Sequence, residues 1–165
     1  MAGLFFVYDY GMLFSLLGKV WKKMPRGMRI FAARSIQVNF TASAGGIITN
    51  EQGRVLLLNH FLRPDSGWGI PGGFLNAGEQ PEEAFRREVC EETGINVEDV
   101  SFLRVRTTGR HMEFIYSARA VGNAEVMSSE ISELAWFDID KLPEEISGDQ
   151  LDLIRKAVNK SGERT

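Results

Sequence analysis

Residues 68–95 read "WGIPGGFLNAGEQPEEAFRREVCEETGI", a glycine-rich loop running directly into a helix with both ends marked. Pro81 is tolerated in a first helical turn, Glu82 and Glu83 suit the positive end of the helix dipole, and Gly94 stands where a C-terminal glycine belongs. The spacing predicts a helix over about 81–92. At about 100° per residue, Glu88, Glu91 and Glu92 fall within a sector of roughly 100°. Ala84, one turn earlier in that sector, leaves it open, and Phe85 and Val89 form a core-facing seam beside it. Like charges at these spacings repel by a few tenths of a kcal/mol per pair. A divalent cation is the simplest compensation. Arg87 stands four residues after Glu83 and four before Glu91, so a Glu83–Arg87–Glu91 ladder is expected to steady one of the carboxylates.

Composition limits which cation this is. The chain holds one cysteine, Cys90, and two histidines, His60 and His111, too few for a disulfide framework or a cysteine-rich zinc site within one chain. A hard ion on carboxylate oxygens, Mg²⁺ or Mn²⁺, is the expectation, and the cysteine usage suggests a cytoplasmic protein. With 165 residues, 44% of them hydrophobic and 25% charged, the chain has the profile of one globular domain with a sizeable core.

From residue 36 the pattern is that of strands. "VNFTASAGGIIT" and "GRVLLLNHF", separated by "NEQG", read as a hairpin. "FLRVRTT" and "MEFIYSARAV" read as a second strand pair, "LAWFDI" as a strand leading into a "DKLP" turn, and 149–159 as a closing helix. Strands, a central helix, more strands and a last helix point to a mixed α/β sandwich over 36–160.

Residues 1–35 differ in kind. Six Lys or Arg face the single Asp9 within residues 1–39, a balance of +5 in a chain whose total is −3, so the rest carries −8. Tyr10, Leu13, Phe14, Leu17, Val20, Trp21 and Met24 recur at three- and four-residue steps, an amphipathic helix that Pro25 and Gly27 end. The apolar run is too short to span a bilayer, and its positive charges follow it, unlike those of a signal peptide. Packing on the domain, packing across a homodimer and attachment to a membrane surface all suit such a helix.

The loop and helix together carry a longer string. From Gly73 come five residues, Glu79, seven residues, then Arg87, Glu88, apolar Val89, one position, Glu91, Glu92, one position, Gly94 and apolar Ile95. All nine specified positions of the Nudix box are filled, and the chain resembles the Nudix, or MutT-like, hydrolases. A chance match is on the order of one in 10⁹ per window at average residue frequencies. "WGIPGG" before the box and "EISELAWFDIDKLP" after it are similar to family segments, the second placing Glu130 six residues before Trp136, where the family carries a further acid.

The resemblance implies a Nudix-type α/β/α sandwich with a mixed sheet, plus the N-terminal helical extension. It further implies Mg²⁺-dependent hydrolysis of a nucleoside diphosphate linked to another moiety. Glu91 and Glu92 are then the principal metal ligands, with Glu88 as ligand and base, Glu79 as ligand or orienting group, and Gly73 letting the backbone pass tightly beneath the metal. Arg87 steadies the carboxylates, and the base role varies enough in the family that Glu130 or Glu113 could hold it. Arg63, Trp68, Arg110 and Phe40 are candidate substrate contacts, although ordinary packing or solvation explains each more readily. His111 reads as a polar strand end.

Marks of specialised subgroups are absent. No proline occurs between Pro81 and Pro143, so the proline that ADP-ribose pyrophosphatases carry about 16 residues past the box is missing. The NADH pyrophosphatase string and zinc-ribbon cysteines, the coenzyme A signature and a clear match to the dinucleoside polyphosphate tyrosine are missing too, though Tyr116 lies nearby. A catalytically inactive nucleotide sensor is the alternative, but it would have little reason to keep every ligand position. The acidic balance beyond residue 39 argues against a nucleic-acid partner.

Overall fold

In the computed structural model of the chain, residues 10–61 and 67–162 are described. They fall into two compact units, one up to Asn39 and one from Phe40 onward. The first holds α1 (Tyr10–Lys23) and α2 (Arg26–Ile36). Pro25 separates them as expected, but it stands just before α2 and ends only α1. Its fixed φ suits a helix entry, and Arg26–Ile36 is helical where the sequence pattern suggested none.

The second unit carries β1 (Thr41–Thr49), β2 (Val55–His60), β3 (Trp68–Gly69), β4 (Gly72–Phe74), α3 (Pro81–Thr93), β5 (Asn96–Thr108), β6 (His111–Val121), β7 (Ile131–Phe137) and α4 (Gly148–Gly162). The sheet is mixed, with strand order β3-β2-β1-β6-β5; β4 adds to β1 and β7 to β2. β1 runs parallel to β6 over its whole length, Thr41 beside His111 through Thr49 beside Arg119. It meets β2 only at the hairpin end, Thr49 opposite Val55. That divergence leaves the first half of β1 open to β4, with Ser43, Ala44 and Gly45 opposite Phe74, Gly73 and Gly72. The β5–β6 pair is as expected, but β5 starts six residues earlier than the strand-like run, continuing from the glycine that ends α3.

Alternation along the strands separates two cores. Ile48, Leu56, Leu58 and Tyr116 face Phe85 and Val89 of α3. Ile47, Val55, Leu57 and Ile115 face Ile154 and Ala157 of α4. Because both faces of β2 are covered, Val55–Leu58 are buried as an unbroken apolar run. The result is the α/β/α sandwich implied by the resemblance. Phe85 is fully buried and stacks on Tyr116 at a centroid distance of 5.4 Å, which fixes the roll of α3 and turns its acidic side toward β4. Among the described residues, no helix is long and apolar enough to cross a membrane.

Candidate active site

The geometry begins with the caps of α3. The Gln80 N–H donates to Glu83 Oε2 at 3.1 Å, so Glu83 closes the first turn as a capping-box glutamate. At the other end Gly94 adopts φ 71° and its N–H donates to the Cys90 carbonyl at 2.9 Å. The helix therefore stops immediately after the acidic residues, and the chain can turn into β5.

Arg87 organises the acidic side. Its Nε donates to Glu79 Oε1 at 2.7 Å and its Nη2 to Glu79 Oε2 at 3.0 Å, a forked pair with the loop carboxylate. Its Nη1 donates to Glu88 Oε1 at 2.8 Å and to Glu91 Oε2 at 3.1 Å, while Nη2 also reaches the Phe74 carbonyl at 3.1 Å. The expected ladder is thus half present. Glu91 pairs with Arg87 as the spacing requires, but Glu83 is committed to the helix cap and Glu79, eight residues away, takes its place. The Asn76 N–H adds a 2.7 Å bond to Glu79. Together, the Arg87 guanidinium first and then that backbone N–H hold the Glu79 carboxyl at about 2, well below the usual carboxylate range. Arg87 is itself driven upward by Glu79 first and by Glu88 and Glu91 after it.

The carboxylates differ in setting. Glu91 is exposed, with 60% of its side chain open to solvent, whereas Glu88 retains 18%. Glu92, expected beside them, is buried, and its Oε2 accepts a 3.1 Å bond from the Gly72 N–H. Gly73 lies against Glu88 so closely that a Cβ there would meet the carboxylate carbon at 2.4 Å and its oxygens at 2.5 and 2.6 Å. A residue without a side chain is what lets the β4 backbone and Glu88 share this space. The donors Glu79, Glu88, Glu91 and Glu92 are all carboxylate oxygens, with no imidazole or thiol among them, which suits Mg²⁺ or Mn²⁺ chemically. As they stand, no three of the acidic, His or Cys side chains among the described residues close around a common point. Arg87 holds the cluster, and an ion here would take much of its shell from water and phosphate, as Mg²⁺ commonly does.

The remaining candidates are scattered. Glu130 sits in the turn before β7, exposed; its N–H donates to Ser128 Oγ and its carbonyl accepts from the Phe61 N–H. No hydrogen bond or ion pair among the described residues links it to the α3 carboxylates. Trp68 is half-buried, edge-on to Phe137 at 5.1 Å and packed against the core beneath α4. Arg110 is exposed in the β5–β6 turn, with its carbonyl accepting from the Thr41 N–H; Phe40 is exposed just before β1. Arg63 lies outside the described residues.

A cleft of about 180 Å³ beside the glycine loop is lined by Ser43, Gly72, Gly73, Phe74, His111 and Glu113. His111 is bonded to the Thr41 and Ser43 hydroxyls at 2.8 Å each and packs edge-on to Phe74. Glu113, opposite Ser43 in the β1–β6 register, is paired with Arg106 at 2.6 Å. Sequence reasoning missed Ser43 and Phe74. Both depend on non-local pairing: β1–β6 sets Ser43 beside Glu113, 70 residues on, and β1–β4 sets Phe74 opposite Ser43. A larger cavity of about 520 Å³, lined by Asn50, Arg54, Arg119, Asn123 and Trp136 among others, lies past the opposite end of β1, away from the carboxylates.

A family model of the NUDIX domain matches residues 39–157. The chain belongs to the Nudix hydrolases. This Nudix chain is 34% identical over 110 residues to a MutT-like protein of Streptomyces ambofaciens, covering 65% of this chain and 70% of that one. It is 27% identical over 136 residues to an ADP-ribose pyrophosphatase of Methanocaldococcus jannaschii, covering 78% and 80% respectively. The crystal structure of a MutT Nudix hydrolase from Burkholderia pseudomallei superposes with a TM-score of 0.63 at 28% identity, over 74% of this chain and 98% of that one.

Proposed function

We propose that this Nudix hydrolase cleaves the pyrophosphate bond of a nucleoside diphosphate linked to another moiety, using Mg²⁺ or Mn²⁺ held on the carboxylate side of α3. The observation that carries the reading is the Arg87 clasp, which draws Glu79, Glu88 and Glu91 together over the Gly73 backbone. In this reaction water attacks one phosphorus, the bridging P–O bond breaks, and two phosphate-bearing products leave. A bound divalent cation supplies positive charge against the phosphate oxygens as negative charge builds there.

The chain's own groups have distinct tasks in this reading. Glu91, exposed at the end of the cluster, and Glu92, anchored on the Gly72 N–H, are the principal oxygen donors, with Glu79 behind them. Glu88 receives the proton of the attacking water. Arg87 engages its Oε1, and no hydrogen bond among the described residues occupies its Oε2. Arg87 positions these carboxylates and neutralises part of their mutual repulsion. The cleft of Ser43, Phe74 and His111 opens directly onto Gly73 and suits the substrate's non-reacting part.

The test is a panel of nucleoside diphosphate sugars, dinucleotides and dinucleoside polyphosphates with Mg²⁺, read by release of nucleoside monophosphate. Turnover of at least one compound, abolished by excess EDTA and restored by Mg²⁺ or Mn²⁺, is expected. Full activity in EDTA would sink the metal assignment, and nucleotide binding without turnover would mark a sensor.

A further inference from the structure

The N-terminal unit has a chemistry that the hydrolase reading does not use. From residue 10 to residue 39 there is no Asp or Glu, while Lys19, Lys22, Lys23, Arg26, Arg29 and Arg34 all fall there. None of the six takes part in an ion pair among the described residues. On α1, Phe14, Leu17, Val20 and Trp21 occupy one side over roughly 120°, and Lys19 and Lys22 stand on the other. On α2, Met28 and Phe31 lie within about 60° of each other and opposite Arg26, whereas Ile30 and Ile36 fall among Arg26, Arg29 and Arg34. These apolar side chains are open to solvent: Phe14 by 68%, Phe31 by 75%, Ile36 by 86% and Trp21 by 43%. α2 has no buried residue at all.

Large apolar side chains left in water on two successive helices need an occupant. A second copy of the same unit is a poorer one: it could cover the apolar side, but it would leave the cations of both copies without an acid, since residues 10–39 hold no Asp or Glu. An anionic bilayer surface satisfies both halves of the pattern. Its acyl boundary accepts Phe14, Trp21 and Phe31, and its headgroups accept the lysines and arginines, whose long stems reach outward from the apolar side. We infer that α1, with the Met28–Phe31 side of α2, forms an interfacial anchor that holds this hydrolase on anionic membranes, lying in the headgroup plane without crossing.

Co-sedimentation of the full chain with phosphatidylglycerol/phosphatidylcholine vesicles, against vesicles of phosphatidylcholine alone, tests this. Binding to the anionic vesicles alone, weakening as salt rises, is expected. The K19Q/K22Q/K23Q variant should bind on the order of 10²-fold more weakly, at roughly fivefold per cation, with nucleotide hydrolysis measured without vesicles unchanged. The F14S/W21S variant should also lose the vesicles while remaining monomeric or keeping the parent's subunit count. No pelleting with anionic vesicles, or equal pelleting with neutral ones, overturns the inference. So does a fall in subunit number on F14S/W21S, which would make the apolar side an interface between copies, or retention of vesicle binding in the triple lysine variant. A variant that fails to fold reveals itself by lost hydrolysis, and the other then decides.

Discussion

Replacing Gly73 by alanine separates the geometry of the carboxylate cluster from its stability. A Cβ at this position lies 2.4 Å from the Glu88 carboxylate carbon, against an ordinary contact of 3.4 Å or more. The carboxylate must therefore retreat by about 1 Å. Gly73 is not among the residues with positive φ, so alanine adds no backbone strain, and the atoms it meets are the far end of a flexible side chain. The cost of swinging Glu88 aside is on the order of 0.5–1.5 kcal/mol for an off-rotamer side chain, a few degrees in Tm for a domain of this size. The catalytic cost is larger, since a displacement of about 1 Å in a positioned group reduces rate by on the order of 10²-fold. Steady-state hydrolysis and thermal melting of G73A should thus part company. The E88D change, which shortens the side chain by one methylene, should recover part of the loss in the G73A background while impairing the parent, a coupling readable as a double-mutant cycle. Gly72 provides the contrast. Its φ is 146° and an added Cβ would meet the Ala44 carbonyl oxygen and the Gly45 Cα, both backbone, so G72A should fail in folding. If G73A keeps parental activity, or if its loss tracks a collapse in Tm, the close approach is not a catalytic feature.

Other expectations follow from the same contacts. E91Q removes a charge from the exposed end of the cluster and should lower hydrolysis by at least about 10²-fold, while metal-free melting stays level or rises because like charges are relieved; E98Q, whose partner is Arg119 at 2.6 Å, is the control and should keep near-parental activity. R87K loses the fork that spans Glu79 and Glu88, and a point charge cannot reproduce it, so activity should drop by on the order of 10²-fold with restoration by neither higher Mg²⁺ nor higher substrate; parental activity in R87K would show that the clasp is ornamental. F85A empties the fully buried site stacked on Tyr116 and should destabilise by about 3–5 kcal/mol, measured by urea unfolding, and a loss below about 1 kcal/mol would mean that α3 is seated by other contacts.

The box from Gly73 to Ile95 was legible because its information is local. Helix caps, glycine conformation and the spacing of Glu88 and Glu91 around a helix all act within one or two turns, and the structure places them as the spacing requires. The β5–β6 pair was legible for the same reason, being closed by a short turn; the expected hairpin of β1 and β2 holds only at Thr49 and Val55, beyond which β1 pairs with β6 and β2 with β7. What spacing could not reveal depends on the approach of distant chain segments. Glu92 belongs to the same helical sector as Glu88 and Glu91, but β4 brings the Gly72 N–H over it and buries it. Glu83 and Glu79 were equally available to Arg87 by charge; the loop carries Glu79 back to the guanidinium, and the cap withdraws Glu83. Helix α2 is hidden in the sequence because Pro25 and Gly27 carry the signature of a helix stop, although proline starts a helix as readily as it ends one.

The parallel pairing of β1 with β6 has a consequence for how the protein acquires activity. Thr41 lies beside His111, so the strand that supports Gly72–Phe74 is seated only after some 70 residues of intervening chain have been looped and ordered. Such closure is slow compared with the formation of a capped helix. The carboxylate-bearing helix can therefore exist early as a local structure, bearing its charges but lacking the glycine floor and the Ser43–His111 wall. In a refolding experiment, far-ultraviolet helical signal should return ahead of hydrolysis. Nascent chains released before residue 121 would have all nine positions of the box and still lack the strand against which its floor is laid.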